Sequence, residues 1–225
     1  MEKTFVLPFL HSAFVGFVAL FPPVNPLSSA LIVEPFLKRL SSAERLTAAL
    51  TIAFYCFCLC TIVALFGGFF FSFFGISIPV VQLAGGFLIS KMGLESLSSN
   101  NQISEKEVDS HPQSAAEVQR LLFFPLAFPT TTGGGTISVL LALSANNFGS
   151  GHDSHLFEQA ALILASFLMC TLVCICYYFA PRILNSLSEQ GHQVVDKLGG
   201  FLTFCVGLQI FVNGILAVAK NVQLH

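Results

Sequence analysis

Charge is scarce in this chain of 225 residues, and tryptophan is absent. Charged residues make up 10% of the sequence, whereas a soluble domain carries about 25%. Hydrophobic residues make up 54%, and the mean hydropathy is +0.78. A nucleic-acid partner is excluded, because the net charge is −2 and no basic stripe could neutralise phosphates. The composition therefore predicts a membrane protein whose main partner is the lipid bilayer.

Sequence patterns for catalysis and metal binding are also missing. The chain contains no G-x-S-x-G, H-E-x-x-H or Walker pattern. Its seven cysteines lie within apolar runs, which favours buried free thiols over disulfides or metal ligands. The fragment His152, Asp153 and His155 has no third or fourth ligand at a matching spacing. We therefore expect neither an enzyme nor a protein with a cofactor or a bound metal.

Six apolar stretches are long enough to predict membrane-spanning helices, which need about 20 residues each. They cover residues 5–33, 47–74, 78–97, 121–145, 158–181 and 198–219. The polar stretch 98–120, between the third and fourth, predicts a surface loop. The expected fold is therefore an all-α polytopic membrane protein. It comprises a first three-helix repeat (1–97), a cytoplasmic linker (98–120) and a second three-helix repeat (121–225).

The lysines and arginines lie mostly on one side of these spans. The loops between spans one and two, three and four, and five and six hold Lys38, Arg39, Arg45, Lys106, Arg120, Arg182 and Lys197. The opposite side holds Lys3 and Lys220. Loops rich in Lys and Arg stay in the cytoplasm. The distribution therefore predicts that both termini lie outside the cytoplasm.

Two segments of the chain resemble each other. "GGFLISKMGL", from Gly85, and "GGFLTFCVGL", from Gly199, are identical at six of ten positions. A Phe-Pro pair also opens the polar part of the first span and of the fourth. Because each copy holds three spans, the second copy would enter the membrane from the opposite face. The pattern predicts inverted repeats, with interrupted helices at spans one and four.

The interruptions are the predicted binding site. In "FPPVNPLSS" (21–29), Asn25 suits an N-cap and Pro26 the first position of a new half-helix. In "FPTTTGGGTIS" (128–138), the threonines can cap a second half-helix that begins at about Thr136. The free N–H groups of two such helix ends suit a carboxylate or another small anion. Simple kinks are the alternative, because Pro and Gly are common in membrane helices.

Polar side chains inside the third and sixth spans add further candidates. Lys91 and Glu95 lie four residues apart and are candidates for coupling transport to an ion, although a solvated helix end explains them equally well. Glu34 and Gln82 are weaker candidates. Gln209 and Asn213 share one helix face. The predicted substrate-binding residues are Asn25, Pro26, Ser28, Thr132, Gly133, Gly134, Gly135, Thr136, Gln209 and Asn213.

Four stretches, "NPLSSALIV", "FFGISIPVVQLAGGFLI", "PLAFPTTTGGGTIS" and "LQIFVNGI", resemble the MarC family of bacterial inner-membrane proteins. The likeness covers nearly the whole chain in the same order. It implies six helices, an inner-membrane location and a place near the amino-acid exporter superfamily. Gly134 stands where the family has a proline, and Leu27-Ser28-Ser29 where it usually has a glycine. The motif residues carried over are Asn25, Pro26, Gly85, Gly86, Pro129, Gly133, Gly135, Gln209 and Gly214.

Two functions fit this sequence. The first is a secondary transporter of a small solute with a carboxylate, such as a neutral amino acid, which the paired interruptions favour. The second is a non-transporting assembly or regulatory factor that acts through helix–helix contacts, which the sparse charge within the spans favours. A homo-oligomer is compatible with either function.

Overall fold

The chain is built from helices. A computed structural model describes residues 2–98, 115–147, 152–186 and 189–223, and no strand occurs among them. An irregular, π-helical segment (Leu122–Thr131) joins α5 to α6. The expected all-α class is confirmed. The helices are α1 (Glu2–Val24), α2 (Pro26–Leu37), α3 (Ser42–Phe73), α4 (Ile78–Ser98), α5 (Ala115–Leu121), α6 (Gly134–Asn147), α7 (His152–Ser186) and α8 (Glu189–Gln223).

Four helices in the described ranges are long and apolar enough to cross a membrane. Their spanning parts are Leu7–Val24 in α1, Ser42–Gly67 in α3, Leu156–Ile183 in α7 and Lys197–Lys220 in α8. The pair Ala115–Thr131 and Gly134–Ser144 is bent by 64° and makes a fifth crossing if it is one span. The structure therefore gives a multi-pass membrane protein with four or five candidate spans, compared with the six predicted.

The first predicted span is two helices, as its length suggested. α1 ends at Val24, and the short apolar helix α2 begins at Pro26. The third predicted span is α4, which is not apolar enough over its length to count as a crossing helix by itself. Its 21 residues include Gln82, Lys91 and Glu95, which lower its mean hydropathy.

The predicted linker differs from expectation in its local structure. Most of the linker, residues 99–114, lies outside the described residues, whereas Ala115–Leu121 forms α5 rather than a loop. Val118 of α5 is buried against the core, which explains why this turn is helical. The fragment from His152 to His155 belongs to the first turn of α7. Among the described residues, no group of three metal-ligating side chains occurs.

The core lies around α7, and α8 lies at its edge. Half of the spanning part of α7 is buried, compared with 17% of that of α8. Tyr177 of α7 is fully buried and packs with the neighbouring helices α2 and α3. The largest fully buried side chains include Leu20, Leu37, Ile52, Leu126, Leu140, Met169 and Tyr177.

α4 and α8 pack against each other through glycines. A Cβ added at Gly86 would lie 2.4 Å from the backbone nitrogen of Phe211, and one at Gly93 would lie 2.3 Å from that of Phe204. A Cβ at Gly207 would lie 2.3 Å from the backbone nitrogen of Ser90. Contacts that run in opposite directions along the two helices make the pair antiparallel. Only glycine permits this approach, as is usual where membrane helices pack closely.

Candidate functional site

The first interruption is a single residue with a left-handed backbone. Asn25 has φ 40° and ψ 70°, a conformation that Asn tolerates better than most residues. Its side-chain oxygen accepts a hydrogen bond from the Ser28 N–H at 3.5 Å, and Pro26 occupies the first turn of α2. The Ser29 hydroxyl donates to the Pro26 carbonyl at 3.3 Å. The predicted N-cap and helix start at this break are confirmed.

The second interruption is longer and differs from the prediction. Phe124 and Phe128 have extended backbone conformations within the irregular segment, and Thr132 is also non-helical. The Gly133 carbonyl accepts from the Ile137 N–H at 3.1 Å, so α6 begins at Gly134 rather than at about Thr136. The capping position is thus held by a glycine, which has no side chain to offer the first N–H groups of α6.

The threonines expected to cap α6 make other contacts. The Thr131 hydroxyl donates to the Leu126 carbonyl at 2.7 Å and lies 2.6 Å from the Tyr177 hydroxyl. Both Thr131 and Thr132 are buried. Thr131 therefore ties the irregular segment to the core, and the expectation that it caps the half-helix is wrong.

The two interruptions lie next to each other. A Cβ added at Gly135 of α6 would lie 3.2 Å from the Met92 sulfur of α4 and 3.4 Å from the Pro23 Cβ of α1. A Cβ at Gly199 of α8 would lie 2.4 Å from the amide nitrogen of Asn25. Four helices thus converge where α1 ends and α6 begins. The structure brings together the predicted residues on either side of both breaks.

One polar group at this place has no partner. Thr136, in the first turn of α6, is fully buried, and its hydroxyl makes no hydrogen bond. A buried polar group left unsatisfied costs about 1–3 kcal/mol. Together with the uncapped N–H groups beside it, the hydroxyl forms a set of donors that suits the oxygens of a small anion.

Gln209 and Asn213 lie away from the breaks. Gln209 is ten residues beyond Gly199 on α8, a rise of about 15 Å. Both side chains are exposed, and the Gln209 amide donates to Asn213 at 3.0 Å. They pair with each other instead of lining the meeting point.

The coupling candidates Lys91 and Glu95 also pair with each other. Their side chains form an ion pair at 3.6 Å, and more than half of each is exposed. They lie on the face of α4 that is turned away from the core.

A buried ion pair was missed from the sequence. Arg45, which is 6% exposed, binds both carboxylate oxygens of Glu34 and donates to the Leu37 carbonyl at 2.9 Å. It also donates to the Tyr177 carbonyl at 3.4 Å. Arg45 therefore connects the end of α2 to α3 and α7. The available signal was Glu34 at the end of an apolar run, eleven residues before an arginine.

Comparisons with known proteins agree with this architecture. Residues 10–219 match a family model described as "MarC family integral membrane protein". The chain is 29% identical over 219 residues to the UPF0056 inner membrane protein MarC of Escherichia coli O1:K1 / APEC, which covers 92% of this chain and 95% of that protein. The protein of the same name from Escherichia coli strain K12 gives the same identity and coverage. No solved structure matches the chain.

Proposed function

Because this chain belongs to the MarC family of integral membrane proteins, we propose that it is a secondary transporter of a small solute such as a neutral amino acid, rather than an enzyme. The single observation that carries the proposal is the meeting of two interrupted helices, where a Cβ added at Gly135 would lie 3.4 Å from the Pro23 Cβ and the Thr136 hydroxyl has no partner. Broken helices that face one another are the usual place of a transporter's substrate site. The relatives are named inner membrane proteins, which supports a bacterial inner-membrane location here.

The chemistry of the meeting point favours a carboxylate. The first N–H groups of α6 have no intrahelical acceptors and lie at the positive end of the helix dipole. The Thr136 hydroxyl adds a side-chain donor, while Met92 and Pro23 supply apolar contacts. The atoms nearest to a Cβ at Gly135 belong to Met92 and Pro23, neither of which is charged, so we expect helix N–H groups rather than a full charge to bind the anion. A small zwitterion fits this set better than a strongly acidic solute.

The helix contacts also support two inverted repeats that together cross the membrane six times. An offset of 114 residues relates Gly93 to Gly207 and also relates Ser90 to Phe204. The contact between Gly93 and Phe204 therefore has a counterpart between Gly207 and Ser90, and both are observed. A two-fold relation between residues 1–97 and 121–225 explains this pairing. In this arrangement α4 is a crossing helix because α8 covers its glycine face.

A purified-protein screen tests the proposed function. A ligand that binds the folded form raises its melting temperature by mass action. We expect at least one neutral amino acid to raise the melting temperature in detergent, and the same amino acid to exchange across proteoliposomes containing the protein. If no amino acid in a panel of all twenty moves faster than in empty liposomes, the proposal of amino-acid transport is wrong.

The orientation has its own test. With both termini outside, reporter fusions after Ser98 should be active in the cytoplasm, and fusions before Leu156 should be active outside. The opposite pattern would reverse the direction in which the two half-helices run, without affecting the binding site.

The exposed face of α4 and α8 favours the second function, an assembly or regulatory role. Only 17% of the spanning part of α8 is buried, and Lys91 and Glu95 are exposed on α4. Exposed charges within a membrane are costly, which favours a covering helix. Crosslinking through a cysteine placed at Leu94, with Cys205 replaced, tests whether a second copy provides that cover. A dimer together with no transport would favour this function over the first.

A further inference from the structure

A cavity lies between α1, α6 and α7, away from the two breaks. It has a volume of about 240 Å³ and is lined by His11, Ser12, Val15, Gly16, Leu143, Glu158 and Leu162. Ser12 is thirteen residues before Asn25 on α1, which places the cavity about 20 Å from the first break. By the distribution of Lys and Arg, it would open towards the outside.

The cavity holds a carboxylate within a membrane-spanning part. Glu158 lies inside the apolar stretch Leu156–Ile183, and His11 and Ser12 lie inside Leu7–Val24. The Ser12 hydroxyl donates to a carboxylate oxygen of Glu158 at 3.3 Å. The ion pairs of the described residues, Arg45 with Glu34 and Lys91 with Glu95, do not include Glu158. Glu158 is the third residue of its apolar stretch and is half-buried, and a carboxylate without a cationic partner is costly there while it is charged.

The lining favours a proton over a metal cation. The side chains offer one carboxylate and one hydroxyl oxygen, whereas hard cations need about six oxygen ligands. The other lining residues apart from His11 are apolar, with Leu143 from α6 and Leu162 from α7. His11, on α1, is the other titratable group among the described residues that line the cavity. Imidazole and carboxyl groups are the side chains that form proton relays in membrane proteins.

We propose that Glu158, positioned by Ser12 and facing His11 across the cavity, is the proton-accepting site that couples solute movement to the proton gradient. This proposal rests on the transport function proposed above. In the coupling step, one proton passes from outside water to a carboxylate oxygen of Glu158, which neutralises the carboxylate. The proton then leaves to the imidazole of His11 or to water, and no bond between heavy atoms changes.

Proteoliposomes that contain the full chain test this inference, with the amino acid that moves in the twenty-member panel as the probe. We expect an inward pH gradient, acid outside, to drive accumulation of the probe by the wild type. Glu158→Gln should reduce this accumulation at least tenfold while exchange of the probe at equal pH continues. Retained exchange also shows that the variant is folded. Glu44→Gln, the same substitution at an exposed site on α3, should behave like the wild type.

Each other result has a defined meaning. If no amino acid moves with the wild type, the proposed function fails, and the coupling site fails with it. If the probe moves but the pH gradient has no effect, or a sodium gradient replaces it, transport stands and the proton site is wrong. The proton site is equally wrong if Glu95→Gln abolishes accumulation and Glu158→Gln does not. If Glu158→Gln does not insert into the membrane, His11→Gln is tested instead. Loss of gradient-driven accumulation with exchange retained would support the proton site, and unchanged accumulation would contradict it.

Discussion

The two interruptions solve the same backbone problem in different ways. At the first, Asn25 supplies both the left-handed residue and the capping side chain, which accepts from the Ser28 N–H at the start of α2. At the second, Gly133 holds the capping position with no side chain, and the Thr136 hydroxyl beside it has no partner. The first break is capped by a side chain of the protein. The second break leaves hydrogen-bond donors without an acceptor. We therefore expect the proposed ligand to bind mainly at the start of α6.

The largest expected effect concerns the far end of α2. Arg45→Met leaves the Glu34 carboxylate without its cation in a buried place, which costs about 3–5 kcal/mol. The melting temperature in detergent measures this loss. Arg39→Met, the same change at an exposed position, is the matched control. Equal melting temperatures for the two variants would show that the ion pair does not stabilise the far end of α2.

The next effect concerns the cap at the first break. Asn25→Ala removes a cap worth about 1 kcal/mol and places an alanine at φ 40°, which adds about 1–2 kcal/mol. Asn25→Gly keeps the backbone conformation and should cost only a few tenths of a kcal/mol. Melting temperatures and ligand affinities are measured on both. If Asn25→Gly is stable but no longer binds ligand, the Asn25 side chain takes part in binding. That result would contradict the expectation that the ligand binds mainly at the start of α6.

Filling the meeting point tests the second break. Gly135→Leu would push its side chain between Met92 and Pro23, and we expect ligand affinity to fall at least tenfold, or about 1.4 kcal/mol. Gly134→Ala and Gly135→Ala form a milder matched pair, because a methyl at Gly134 meets nothing within 4 Å. Isothermal titration with the amino acid from the screen gives the affinities. Unchanged binding by Gly135→Leu would place the ligand elsewhere.

The smallest effect gives the second break the cap that it lacks. Gly133→Ser supplies a hydroxyl acceptor, which should stabilise the chain by about 1 kcal/mol relative to Gly133→Ala. Alanine is the proper reference, because any Cβ at this position lies 2.9 Å from the Pro129 carbonyl. The same hydroxyl competes with a carboxylate for the N–H groups of α6. Relative to Gly133→Ala, Gly133→Ser should therefore have a lower ligand affinity and a higher melting temperature. If both rise together, the α6 start is not where the anion binds.

Local chemistry was predictable from the sequence, and long-range contacts were not. The start of α2 follows from the adjacent Asn25 and Pro26, whose preferences act within one turn. The start of α6 was misplaced by two residues because Thr131 bonds to Tyr177, which is distant in sequence. Arg45 was counted as a loop cation because its separation of eleven residues from Glu34 does not by itself show that the two side chains meet.

The polar pairs of the third and sixth spans show the same limit. Gln209 and Asn213 share a helix face, as expected, but that face points away from the breaks. Periodicity along one helix gives the direction of side chains relative to one another. It does not reveal which neighbouring helix covers them.

The glycine contact between α4 and α8 has a consequence for synthesis of the protein in the cell. α4 carries two charged side chains and, unlike α1, α3, α7 and α8, has no stretch long and apolar enough to cross a membrane by itself. Its partner α8 is the last of the described helices to leave the ribosome, because chains are made from the N-terminus. During translation, the glycine face of α4 therefore stays without its partner until α5, α6 and α7 have been made. A chain truncated before Glu189 lacks α8, so the glycine face of α4 stays exposed. We therefore expect quality-control proteases to degrade such truncated chains because of this exposed face.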